Sequence, residues 1–252
     1  MESIIAPETS PAETSSDRIL RRRMQPLKAL RALIRLLADK EDTVQVFEIM
    51  RALNVHATAK GYARMLTTKT GGREAYRRIE LAEQLSDPAF IDQFPPGSVG
   101  HAYARFTRTE AISAEGLAEE SRKGTNAEIE SPHPYAWFGR RMRDTHDIWH
   151  VLSGYGRDGL GEVCLVAFSF AQTRAPGWGL IALGGVWRFK KLRNGVPYFA
   201  AIRQAWRRGR KAAWLPGEDY QRLLAMPLDA ARDRVGLTPP DRYLAIPAEQ
   251  RN

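Results

Sequence analysis

Apolar residues in this chain recur at intervals of three and four, and no run alternates apolar with polar residues between hairpin turns. Leu27, Leu30, Leu33, Ile34 and Leu37 form one such set, and Val44, Val46, Phe47 and Met50 continue the habit. On an α-helix these positions gather on one face, which must then be buried against another helix. The spacing therefore predicts an all-α fold. Pro26 divides a basic preamble from the first helix, because proline removes a helical donor. A break is expected at Gly71-Gly72, with a helix after it, and then a short helix from Asp87 that stops at Pro95-Pro96. Another helix follows from Ser98, and residues 114–134 read as a connection. Tyr135 to Leu152 reads as one long helix. The apolar run from Glu162 to Thr173 fits a buried strand or a buried helix, since periodicity does not separate them; its length and surroundings favour helix.

With 43% hydrophobic residues in 252, there is enough apolar side chain for one substantial core. The expected organisation is a disordered tail over residues 1–16, rich in Pro, Glu, Ser and Thr, and a single helical domain over 17–252. The tail carries Glu2, Glu8 and Glu13 and has neither the basic start and apolar core of a signal peptide nor the acid-poor character of a transit peptide. No stretch approaches the ~20 apolar residues of a membrane-spanning helix. Cys164, the single cysteine, excludes an internal disulfide and fits a reducing compartment. A bacterial cytoplasm is the expected setting.

The formal charge of +9 points to anionic partners. It is unevenly placed, for no acidic residue occurs from Val163 to Gly217. Arg174, Arg188, Lys190, Lys191, Arg193, Arg203, Arg207, Arg208, Arg210 and Lys211 fall in that span, among Trp, Phe and Tyr. Cations interleaved with aromatics beside apolar residues suit an anionic membrane surface, although an ordinary solvated face has the same composition. No nucleic-acid motif accompanies them.

The chemistry concentrates at "THDIWHVLSGYGRDGLGE", Thr145 to Glu162. His146 and His150 share one helical face, the geometry by which a His-x-x-x-His pair grips a divalent ion. Asp147 lies near that face, and a helix-turn-helix would return Glu162 toward the histidines. Two imidazoles and one or two carboxylates suit Zn²⁺, Fe²⁺, Mn²⁺ or Co²⁺. Two histidines at this spacing also occur on helices that bind nothing. A zinc peptidase requires glutamate where Asp147 stands. Gly154, Gly156, Gly159 and Gly161 form the turn, either as a plain connection or to leave room for a flat aromatic head. Arg157 and Asp158 in that turn are candidates to touch a ring carboxylate or to order a ligand. Val163, Val166, Ala167 and Phe170, followed by Trp178 to Val186, read as core or as the wall of a lipid tunnel, thinned at Gly184 and Gly185.

His146-Asp147-Ile148-Trp149-His150, then eleven residues, then Glu162, resembles the signature of the coenzyme Q biosynthesis protein 4 family of ubiquinone synthesis. Pro95-Pro96-Gly97-Ser98-Val99-Gly100-His101-Ala102-Tyr103 is similar to another family segment, with Ser98 for threonine. Gly209 to Leu237 resembles its C-terminal segment, with Tyr220 where tryptophan is usual. The likeness covers roughly residues 30–237. It implies an all-helical, peripheral membrane protein with one divalent metal held by His146, Asp147, His150 and Glu162. Asp147 and Glu162 would also serve catalysis. The implied reaction is oxidative decarboxylation at ring carbon 1 of a prenylated hydroxybenzoate, replacing carboxylate by hydroxyl. The implied alternative is a non-catalytic, lipid-binding scaffold for the other ubiquinone-biosynthesis enzymes, and a homodimer is compatible with either. Asp147 stands either on the metal or behind a histidine. No Gly-x-Gly-x-x-Gly follows a strand, so neither flavin nor nicotinamide is expected.

Overall fold

A computed structural model describes residues 23–39, 42–125, 129–192 and 194–252. The tail expected at 1–16 lies outside the described residues. Regular structure among the described residues is helical, with one isolated bridge between Ser98 and Pro227. The order is α1 (Pro26–Ala38), α2 (Thr43–Leu53), α3 (Val55–Leu66), α4 (Lys69–Arg77), α5 (Leu81–Ser86), α6 (Pro88–Asp92), α7 (Val99–Thr109) and α8 (Ala114–Thr125). Then come α9 (Pro134–Asp144), α10 (His146–Ser153), α11 (Gly159–Thr173), α12 (Pro176–Lys191), α13 (Tyr198–Lys211), α14 (Tyr220–Ala225), α15 (Leu228–Arg234) and α16 (Asp241–Leu244). None of the described helices is long and apolar enough to cross a membrane.

The ambiguous apolar run is α11, the central post of the fold. It packs against α12 and α13 and touches α10. Leu160, Cys164, Leu165 and Phe168 on it have no exposed surface. A helix covered on all sides needs no polar face, which is why its sequence shows a run rather than a stripe. The α1–α2 pair lies outside this post and forms a second cluster in which Ala29, Leu33 and Ile49 meet Val166 of α11 and Ile181 of α12.

Three boundary readings are corrected. Gly71 and Gly72 sit inside α4, in its first turn. Thr68 caps that helix by accepting from Gly71 N at 3.0 Å, and a side chain on Gly71 would run into the carbonyl of Met65. The glycine answers a close approach, not a break. Residues 114–125 are helical, with Ser113 accepting from Gly116 N at 3.0 Å as the start signal. Among residues 114–122 the buried side chains are the small ones of Ala114, Ala118 and Ser121, so the apolar stripe is faint. The long helix expected from Tyr135 to Leu152 divides at Thr145 into α9 and α10. Thr145 Oγ1 donates to the Arg141 carbonyl at 2.9 Å, a back-bond that bends helices.

Candidate metal centre and its cavity

α10 opens on the residues that matter. His146, Asp147 and His150 place potential ligand atoms within 4.8 Å of one another. The turn after α10 reverses the chain and α11 brings Glu162 opposite. Glu162 Oε1 stands 3.5 Å from His150 Nε2, and Oε2 stands 3.8 Å from His146 Nε2. These gaps exceed a good hydrogen bond. Ligand atoms about 2.1 Å from one tetrahedral ion are about 3.4 Å apart, so the spacing suits a shared cation.

The histidines are fixed from behind. His150 Nδ1 lies 3.0 Å from the Tyr155 carbonyl, which can only accept, so Nδ1 carries a proton and Nε2 faces Glu162 as the nitrogen free to take a proton or a metal. That Nε2 is buried and has no hydrogen-bond partner, an orphan a metal would satisfy. Phe106 of α7 stacks on the His150 ring at 5.3 Å, and Trp178 of α12 lies parallel to His146 at 6.0 Å. Burial alone would raise the Glu162 carboxyl and lower the His150 imidazole. The facing charges prevail, holding Glu162 well below the usual carboxylate range and His150 above its ordinary value. Protons therefore compete with any cation here.

The glycine turn is chiefly structural. Gly154 ends α10 at φ +79°, a left-handed conformation that favours glycine. At Gly161 an added Cβ would lie 2.1 Å from the Gly156 carbonyl oxygen, so the loop can cross only over glycine. Asp158 is the N-cap of α11: Oδ1 accepts from Gly161 N at 2.9 Å, and Oδ2 accepts from the Tyr243 hydroxyl. That occupation ties it to the turn. Arg157 instead reaches the site, with Nε 3.6 Å from Glu162 Oε1.

A cavity of about 700 Å³ meets the site, within the range of ligand pockets. Its wall carries His146, Asp147, Arg157 and Glu162 with further polar groups such as Arg51, Glu119 and Arg188, and apolar Leu33, Leu37, Val166, Trp178 and Ile181. The reading of the two glycines on α12 divides. Gly185 lines the cavity, whereas Gly184 is the seat of α1, where a Cβ would meet Leu33 Cδ1 at 2.9 Å. Trp178 was read in sequence as core or tunnel wall but not as a brace for His146, and Phe106 and the Tyr155 carbonyl were not recognisable as site parts. Phe106 and Trp178 come from other helices, and a carbonyl has no residue signature.

The class defined so far is an all-helical protein with a His-Asp-His cluster and an opposed glutamate on the wall of a large apolar cavity. The sequence matches the family described as "Coenzyme Q (ubiquinone) biosynthesis protein Coq4" over residues 22–241, and the chain belongs to that family. A rat relative, "Ubiquinone biosynthesis protein COQ4 homolog, mitochondrial", is 28% identical over 174 residues, 69% of this chain and 63% of the relative. A relative from Pyrenophora tritici-repentis, "Ubiquinone biosynthesis protein coq4, mitochondrial", is 31% identical over 190 residues, 74% of this chain and 62% of the relative. The alignments thus span under two thirds of either relative. A crystal structure from Nostoc punctiforme, of a protein named for ubiquinone biosynthesis, superposes with a TM-score of 0.63 at 22% identity. It covers 85% of this chain and 99% of its own, and shows the shared fold.

Proposed function

We propose that the protein acts in ubiquinone biosynthesis at a membrane surface, on a prenylated hydroxybenzoate intermediate. The reaction is oxidative decarboxylation at ring carbon 1. One observation carries the reading: His146, Asp147 and His150 cluster, with Glu162 against both histidines, at the wall of a largely apolar cavity of about 700 Å³. The polar end suits an aromatic acid, and the apolar remainder suits a prenyl tail.

His146, Asp147, His150 and Glu162 would hold one divalent ion, either zinc or one of iron, manganese and cobalt. Such an ion supplies Lewis acidity that favours a substrate phenol as its phenolate. The chain's own groups do the rest. Arg157, beside Glu162, meets the ring carboxylate by charge. Asp147 would accept the phenol proton and return one to the product, while Glu162, held well below the usual carboxylate range, stays ionised to balance the ion's charge. Trp178 and the aliphatic wall keep water from the ring. With dioxygen as the oxidant, carboxylic acid, dioxygen and water give phenol, carbon dioxide and hydrogen peroxide. The bond from ring carbon 1 to the carboxyl carbon breaks, a carbon–oxygen bond replaces it, and two electrons pass to dioxygen.

Purified protein should convert a short-chain prenylated hydroxybenzoate to the decarboxylated, hydroxylated ring when loaded with one of these metals in air. Mass spectrometry follows the exchange of carboxyl for hydroxyl. Equal turnover after metal removal would refute the metal's role. No turnover with any metal, together with tight binding of the prenylated ring, would favour a non-catalytic scaffold for the other pathway enzymes.

A further inference from the structure

The outer faces of α1 and α12 leave large apolar side chains in water. Leu27, Leu30 and Ile34 on α1 are 73%, 48% and 60% exposed, and Leu183 and Trp187 on α12 are 69% and 52% exposed. Scattered exposed apolar residues are ordinary, but a contiguous set marks an interaction surface. These are contiguous. The two helices touch where Leu33 and Leu37 lie over Gly184. At about 100° per residue, Leu30, Ile34 and Leu27 follow Leu37 around α1 on the side away from the buried Ala29 and Ala32. On α12, Trp187 and Leu183 follow Gly184 on the side away from Gly185, which faces Val163 of the core helix. Both apolar sectors turn outward from the same contact and adjoin. Phe199 of α13, 63% exposed, extends the strip across the groove it shares with Lys190.

The helices that bear the strip carry charge of one sign. α1 contains no acidic residue, nor does the chain from Val163 to Gly217. Arg31 borders the strip on α1, Lys190 on α12, and Arg203 lies one turn beyond Phe199; all three are exposed. Lys191 Nζ rests 3.4 Å over the Trp187 ring. Glu48 of α2 is paired with Lys28 beside the strip at 2.6 Å; an apolar strip bearing tryptophan and bordered by Arg31, Lys190, Lys191 and Arg203 matches the boundary between acyl chains and anionic headgroups.

We infer that this strip is the protein's docking face for an anionic lipid bilayer, with Leu27, Leu30, Ile34, Leu183, Trp187 and Phe199 seated among the acyl chains. The inference deepens the membrane part of the function proposed above. The same helices wall the cavity from inside through Leu33, Leu37, Ile181 and Gly185, so docking sets the cavity directly behind the bilayer contact. A tail-bearing substrate is then taken up without crossing water.

The test is vesicle co-sedimentation of the full chain without added metal or substrate. Its failure therefore leaves the proposed reaction standing, and failure of the reaction leaves it standing. Vesicles of phosphatidylcholine with phosphatidylglycerol should bind the protein at least about tenfold better than phosphatidylcholine alone. Leu30→Glu/Ile34→Glu/Leu183→Glu should lose about tenfold or more of that binding, and Lys190→Glu/Lys191→Glu/Arg203→Glu should lose the anionic preference. Unchanged circular dichroism and melting confirm folded variants. In the otherwise native chain, brominated lipid should quench part of the tryptophan emission, and Trp187→Phe should remove that part. Undiminished binding of both triple variants, or quenching that survives Trp187→Phe, would overturn the assignment. So would a strip that proves to join two copies of the chain, seen as a dimer that Leu30→Glu/Ile34→Glu/Leu183→Glu splits while vesicle binding persists.

Discussion

His150 shows how single residues divide the work here. Its Nδ1 proton is committed to the Tyr155 carbonyl at 3.0 Å, so its remaining nitrogen is available only as a base or a ligand. Replacing His150 with alanine, or Asp147 with asparagine, should lower the metal content of protein purified in a fixed metal excess by more than about tenfold, read by elemental mass spectrometry. Retention of the metal by His150→Ala would remove this residue from the ligand set. Tyr243 acts at one remove: its hydroxyl bonds Asp158, and it accepts from Gly156 N at 3.0 Å. Tyr243→Phe should cost about 1–3 kcal/mol in urea unfolding, the penalty for stranding partly buried polar groups. The candidate ligands were legible in sequence because spacing on a helix is local information. The aromatic rings that brace the histidines were not, since Phe106 and Trp178 reach them only through helix packing.

At the scale of elements, spacing marked helices better than it marked which face is buried. α1 was legible as a helix, but Leu27, Leu30 and Ile34 of its apolar stripe are exposed, and Ala29, Ala32 and Leu33 make its buried side. α8 was missed because alanine and serine make its buried side, and α11 stayed ambiguous because it is buried all round. The split at Thr145 is accompanied by a hydroxyl back-bond, and no periodicity reports either. The neighbouring glycines of α12 give a paired prediction. Gly184→Leu would push into Leu33 of α1, so it should lower stability by about 1–3 kcal/mol and change tail-length discrimination less than a substitution aimed into the cavity. Ile181→Trp would fill the cavity it lines, so long-tailed ligands should lose affinity far more than short ones. Binding by intrinsic fluorescence or calorimetry would separate the two. Equal losses for Ile181→Trp would place the tail elsewhere.

At the scale of the whole molecule, a metal that binds only the folded chain must stabilise it. α10 and α11 both supply the candidate ligands, and α11 is the post on which the core is built. Free metal at 100 times its dissociation constant should add about 2.7 kcal/mol. For a chain of this size that raises the melting temperature by about 5–10 °C. A chelator should reverse the shift, and His150→Ala should show none. Charge patterning, too, belongs to this scale. The acid-free stretch from Val163 to Gly217 was visible in sequence, but only the packing of α1 on α12 joins its exposed Leu183, Trp187 and Phe199 to Leu27, Leu30 and Ile34 from the other end of the chain.

The most direct test of the central claim is mass spectrometry of quinone intermediates in cells lacking this gene. The cells are complemented with the wild-type chain or with the Asp147→Asn/His150→Ala chain, both confirmed folded and equally abundant. The account predicts that the wild type clears a carboxylated prenylated phenol and restores ubiquinone, while the double variant leaves that precursor in place. Restoration by the double variant would show that the His-Asp-His cluster is dispensable and would contradict a metal-dependent reaction at this site.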